Sequence, residues 1–130
     1  MTSDAPQPGE GPWPESLDAL VAAAAHHRLL LENECVRVLE TVIPPGEQTA
    51  VHTHRWRSVQ YVLSWSDFIR RDGEGAVLLD SRTMRAPEAG TALWSEPLAP
   101  HSVENIGSKD LRVLVVEIKR HSVPATTQAP

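Results

Sequence analysis

From residue 28 to residue 119 the chain is a succession of short extended segments. Each is closed by a turn signal before it is long enough for an ordinary helix. "RLLLENECVRVLETVIPPGE" holds two of them. In the second, Val36, Val38 and Val42 alternate with Arg37, Leu39 and Thr41, and Pro44-Pro45-Gly46 ends the run. "AVHTH" follows, then "SVQYVLSWSDFIRR", a hairpin turn at Asp72-Gly73-Glu74-Gly75, and "AVLLD". "RAPEAG" reads as loop, "TALW" as strand, and "EPLAP" as a kink foreign to a strand interior. "HSVENI", the turn "GSKD" and the final strand "LRVLVVEIK" complete the set. About eight to ten short strands at near-regular spacing predict an all-β fold, an antiparallel sandwich or barrel.

The flanks have another texture. Residues 1–15 are rich in Pro, Gly and acid and read as a disordered or loosely draped arm, with Trp13 its one docking residue. Ser16 is placed to cap a short helix over Leu17 to Ala25, with Asp18 in its first turn. His26 and His27 then end that helix in structural roles. Residues 121–130, His121 included, read as a disordered tail. One domain over 16–120 remains, and a chain of 130 residues is long enough for one core.

Composition narrows the partners. A formal charge of -5 disfavours nucleic acid, which asks for a basic face. No apolar run approaches the roughly 20 residues that span a bilayer, and "LDALVAAAAHH" lacks the basic start of a signal peptide. Cys35 is the single cysteine. It excludes an internal disulfide, fits a reducing cytoplasm, and reads as a small core residue. A Cys-rich zinc site is excluded with it, so any metal is held by His, carboxylate or water.

The chemistry concentrates in His52-Thr53-His54. Strand side chains alternate, so both imidazoles project to one face, a two-point clamp for Zn, Fe, Mn, Ni or Cu. Two hydrogen-bonded surface histidines are the plainer alternative. A metal needs a third ligand from elsewhere, and His101, behind Pro100 and four residues before Asn105, is the candidate.

"GEQTAVHTH" resembles the start of the first cupin motif, and "GTALWSEPLAPHSVEN" resembles the second. Gly46, His52, His54, Gly90, His101 and Asn105 sit where that pattern has them, and the resemblance covers roughly residues 35–119. It implies a single small cupin-type double-stranded β-helix, or jelly-roll barrel. It implies one divalent transition metal (Fe, Zn, Mn or Ni) on His52, His54 and His101, and a homodimer. The departures are local. Val59 stands where the first motif has a carboxylate ligand, Ser66 where it closes with Gly, and Glu96-Pro97-Leu98 where the second has Pro-x-Gly.

Facing Val59 inward makes one apolar stripe of Val59, Tyr61 and Leu63, and this register is preferred. A slip of one residue turns Gln60 inward instead, offering an amide oxygen. Glu104 faces away from His101 by alternation, and Glu117 in the last strand reads as either buried and paired or exposed at an edge. Tyr61 and one arginine of Arg55, Arg57, Arg70 and Arg71, with Arg57 the one assigned, are the candidate catalytic side chains. An arginine there suits a substrate carboxylate. Trp56, Val59, Trp94 and Asn105 are the expected pocket residues, Asn105 orienting a turn or a metal-bound water. The expected function is a metal-dependent enzyme acting on a small organic, carboxylate-bearing molecule, with oxygenase chemistry ahead of isomerase or lyase. The alternative is a non-catalytic small-molecule binding or sensing barrel with structural metal or none.

Overall fold

A computed structural model describes residues 10–119. The expectations for residues 1–9 and 121–130 lie outside the described residues.

Among the described residues nine strands form two antiparallel sheets: β1 (His27–Glu32), β2 (Val36–Ile43), β3 (His52–His54), β4 (Ser58–Ser64), β5 (Phe68–Asp72), β6 (Val77–Asp80), β7 (Ala92–Ser95), β8 (Leu98–Asn105) and β9 (Leu111–Ile118). One sheet has the order β1-β2-β9-β4-β7, the other β3-β8-β5-β6. Their inner faces bury Leu39, Ile43, Val62, Phe68, Leu111 and Val115. Among the described residues no helix is long and apolar enough to cross a membrane.

The run "SVQYVLSWSDFIRR" is not one strand. It breaks at Trp65-Ser66-Asp67, and the chain passes from the five-stranded sheet into the four-stranded one. The hairpin expected at Asp72–Gly75 forms. The Asp72 carboxylate accepts from the N–H groups of Glu74 and Ala76, and Gly75 takes φ +94°, which suits a residue without Cβ.

Two expectations are corrected. The helix is only α1 (Ala19–Ala22), four residues long, and Asp18 rather than Ser16 caps it, accepting from Leu20 N–H at 3.1 Å. An alanine run has little apolar surface to hold a longer helix against a core. The chain leaves helical geometry at Ala23, whose carbonyl accepts from His26 N–H and His27 Nδ1 instead of a further helical turn. The kink at "EPLAP" is confined to Glu96-Pro97, between β7 and β8, and β8 runs from Leu98 straight through Pro100. His52 pairs with His101 and His54 with Leu98, so three steps on β8 face two on β3. That is a bulge, and the β5 ladder stops at His101, so the missing Pro100 N–H costs no ladder bond there.

Candidate metal centre

The site is built by two neighbouring strands of one sheet, a bulge between them, and one strand of the other sheet. β3 carries His52 and His54, its neighbour β8 carries His101, and β1 of the other sheet brings His27 across the barrel. His27, His52 and His54 are buried, and one nitrogen from each lies within 4.8 Å of the others. These three can hold a metal ion. His101 stands outside that tight trio, yet its ring lies 4.4 Å from the ring of His52 and 5.7 Å from that of His54. Ring-to-ring distance is the better guide to membership of the cluster, since a small rotation about the side chain re-aims a nitrogen. The cluster is therefore four imidazoles.

Their hydrogen bonds set which nitrogen is free. His52 Nδ1 lies 2.7 Å from the Ala50 carbonyl, His101 Nδ1 2.7 Å from the Ala99 carbonyl, and His27 Nδ1 2.9 Å from the Ala23 carbonyl. A carbonyl only accepts, so each Nδ1 carries the proton and each Nε2 keeps its lone pair. His54 Nδ1 faces the Glu117 carboxylate at 3.3 Å. This outer arrangement is the one that orients ligating histidines. Burial pushes the pKa of His27 and of His54 down to about 3 and of His101 to about 2, with the neighbouring imidazoles adding to it, and burial lowers His52 too. All four are neutral at pH 7, the state that binds a cation. The donor set fits a divalent transition metal.

Behind His54 runs a buried charge network. Glu117 accepts from Arg37 Nε, and Arg37 donates its two other nitrogens to Asp18 at 2.9 and 2.8 Å. Arg55 reaches Asp18 at 3.4 Å. Burial raises the Glu117 carboxyl against the pull of Arg37. Burial also opposes ionisation of Asp18, but the Arg37 bonds hold it below its ordinary value. The cap of α1 is thus tied to the ligand side of the barrel.

The face of β4 is the reverse of the preferred register. Gln60 and Val62 line the inner cavity, whereas Val59, Tyr61 and Leu63 do not. Gln60 lies opposite Val115, and Ser58 opposite Glu117, both inward positions of β9. A Val-Tyr-Leu stripe is as well suited to a covered outer face as to a core, so hydrophobicity misled. Tyr61 is 41% exposed.

The cavity measures about 240 Å³. Trp94 lines it at the rim, its indole N–H bonded to Glu96. Trp56 does not line it; its ring is covered by the guanidinium groups of Arg37 and Arg55, 4.9 and 4.4 Å from its centroid. Asn105 is spent on structure: its oxygen accepts from Ser66 Oγ and Gly107 N–H, and its nitrogen donates to the Ile43 and Lys109 carbonyls. Arg57 pairs with Glu96 at the surface, and Arg71 with Glu104 at 2.8 Å, which takes Glu104 away from the centre. Arg70 alone of the four arginines lines the cavity. Burial alone lowers its pKa.

Sequence reasoning gave His27, Arg37 and Asp18 no place at the site, and named Arg70 only as one of four candidate arginines. His27 was hidden by the alanine run before it. The other signals were legible: a lone Arg inside a valine-rich strand and a lone Glu inside "LVVEIK" each need a buried partner.

No family model matches the chain. An uncharacterized protein of Methanocaldococcus jannaschii is 29% identical over 76 residues, 58% of this chain and 54% of that protein. The chain thus spans about half the length of the curated relative it matches. Among solved structures, a cupin domain from Bordetella pertussis Tohama I is similar at TM-score 0.58 and 22% identity, covering 72% of this chain and 92% of that one. An RmlC-like cupin with a double-stranded β-helix from Methanocaldococcus jannaschii is similar at 0.52 and 17%, covering 72% and 78%. A double-stranded β-helix protein from Klebsiella pneumoniae is similar at 0.51 and 20%, covering 75% and 74%. The strand order, the barrel and these likenesses agree: the chain has the double-stranded β-helix fold seen in these cupin structures.

Proposed function

We propose that this chain is a metal-dependent enzyme acting on a small organic molecule, with oxygenation the first reaction class and isomerisation or lyase chemistry behind it. One observation carries the reading. Four buried neutral imidazoles converge, three of them with Nδ1 tied to a backbone carbonyl and the fourth to a carboxylate. His27, His52, His54 and His101 are the proposed ligands, His27 standing in for the absent carboxylate. Because neutral ligands leave the cation its full charge, Fe, Zn, Mn or Ni held there supplies Lewis-acid polarisation of an oxygen ligand, and Fe adds redox chemistry. Leu93 and Gln60, paired across β7 and β4, face the substrate, with Trp94 at the rim, and Phe68, Leu79 and Val103 wall off water. The protein is proposed to work as a cytoplasmic homodimer.

One observation favours the second reading, a non-catalytic binding or sensing barrel. Among the described residues lining the cavity there is no Asp, Glu or Tyr. Proton transfer then falls to the histidines or to substrate. Elemental analysis of protein purified without chelator or nickel affinity separates the two. One equivalent of transition metal, lost in a His52→Ala/His54→Ala double variant, is the expected result. Metal-free protein whose ligand binding ignores those substitutions leaves only the barrel that binds. If the metal is iron, oxygen uptake with a substrate panel follows.

A further inference from the structure

The cavity holds buried donors with nothing to donate to. Arg70 Nε and Trp65 Nε1 are both shut off from solvent without a hydrogen-bond partner, and both residues line the cavity. They flank one ring. The Trp65 indole meets Phe68 edge-on at 5.4 Å, and the Arg70 guanidinium lies over the same Phe68 at 5.8 Å. Arg70 sits on β5 opposite Val103, one inward position from His101 on β8, and its charge acts on His52, His54 and His101. No ion pair to Arg70 exists among the described residues, although Arg37, Arg55, Arg57, Arg71, Arg82 and Arg112 are all paired. A guanidinium left without a counter-charge in a low-dielectric cavity is costly. The described lining contains no carboxylate to offset it.

We propose that Arg70 binds the carboxylate of a small organic acid, the substrate or ligand of this cavity, with the Trp65 indole a further donor in the same lining. This rests on the reading of the barrel as a small-molecule site and names the class of molecule. A carboxylate is an acceptor at both oxygens and matches the planar guanidinium fork. An indole N–H adds a second donor. Phosphate is disfavoured, because a dianion with a full hydration shell meets one arginine among apolar walls of Phe68, Leu79 and Val103. The volume, about 240 Å³, lies below the usual range of roughly 300–1,000 Å³ for ligand pockets, so the acid is small.

The test titrates the full chain, metal-free and zinc-loaded, by calorimetry. Oxalate, pyruvate, benzoate and hexanoate are the probes, with the matching amides and inorganic phosphate alongside. At least one carboxylate binds, and more tightly than its amide by roughly 10-fold or more. Arg70→Met weakens that binding by roughly 10- to 100-fold, and Arg70→Lys restores part of it. Arg70→Met also melts higher than the wild type, since it removes a half-buried charge that has no ion-pair partner among the described residues. An arginine with a structural role melts lower when lost. The proposal is overturned if amides bind as well as acids, if Arg70→Met leaves carboxylate binding unchanged, if phosphate is the only anion bound, or if the cavity takes water alone. Metal content of the same samples keeps the two readings apart. Arg70-dependent carboxylate binding in a chain that takes up none of zinc, iron, manganese or nickel removes the metal reading and leaves this one. Zinc uptake with carboxylate binding blind to Arg70 does the reverse.

Discussion

At the scale of single residues, the position that decides the proposed metal centre is His27. It neighbours His26, whose Nε2 bonds instead to the Glu47 carboxylate at 2.8 Å. The pair is a built-in control. His27→Ala is expected to weaken metal binding by on the order of 100-fold or more, since even outer-shell changes cost roughly 10- to 100-fold. His26→Ala leaves it unchanged, and competition titration against a chromogenic chelator reads both. Four neutral buried imidazoles also set an acid limit. Their folded pKa values lie below the unfolded value of 6.5: about 3 for His27 and His54, about 2 for His101, and lowered for His52. The unfolded chain therefore binds more protons over this window, and stability rises with pH. The contribution is complete above pH 6.5 and is lost as pH falls toward 3. Glu117, shifted up, works the other way, but it is one group against four. The urea midpoint of metal-free protein should drop steeply below pH 6.5. A midpoint flat from pH 7 to 4 refutes this.

At the scale of elements, the strands were legible and their faces were not. Turn chemistry at Pro44-Pro45-Gly46 and Asp72–Gly75 marks where strands stop, whatever lies around them. The face of β4 depends on which neighbour covers it, and both of its faces carry apolar residues. Gln60 inward and Tyr61 outward follow only from pairing with Val115 and Leu114 of β9. His52 and His54 were readable because alternation puts them on one face in either register. His27 was not, because a helix and a strand compete for the same local sequence and only the sheet partner, Thr41, settles it. β8 and β9 separate two kinds of buried polar residue. Asn105 of β8 ties Ser66, Gly107, Ile43 and Lys109 together, and a Cβ on Gly107 would lie 2.9 Å from the Asp67 amide. Asn105→Ala is expected to cost about 3 kcal/mol in urea unfolding, from several orphaned buried partners, with metal affinity unchanged. Glu117→Gln of β9 keeps the shape but removes the negative charge shared by Arg37 and His54 and one of the two acceptor oxygens. It should weaken metal binding by roughly 10- to 100-fold. If Asn105→Ala loses metal and Glu117→Gln does not, the assignment of structural and orienting roles is reversed.

At the scale of the molecule, the outer face of the larger sheet has to be accounted for. One apolar row crosses all five strands in register: Leu31 opposite Val38, Val38 opposite Val116, Val116 opposite Val59, and Val59 opposite Trp94. Its ends are open, with Leu31 51% and Trp94 56% exposed. The "QYV" reversal on β4 contributes to it, because turning Gln60 inward places Val59 and Tyr61 on this face. A continuous apolar band of this kind marks an association surface, and a two-fold axis lets the same band cover itself. The homodimer proposed above is expected to use it. Sedimentation velocity at micromolar concentration should then give twice the chain mass. Val59→Lys, at the middle of the row, should give one chain mass with metal content retained. Leu78→Lys is the control: Leu78 is more exposed than Val59 but lies on β6 of the other sheet, and its substitution should leave the dimer intact. A monomeric wild type, or a dimer broken by Leu78→Lys and not by Val59→Lys, would place association elsewhere and leave the row a solvated surface.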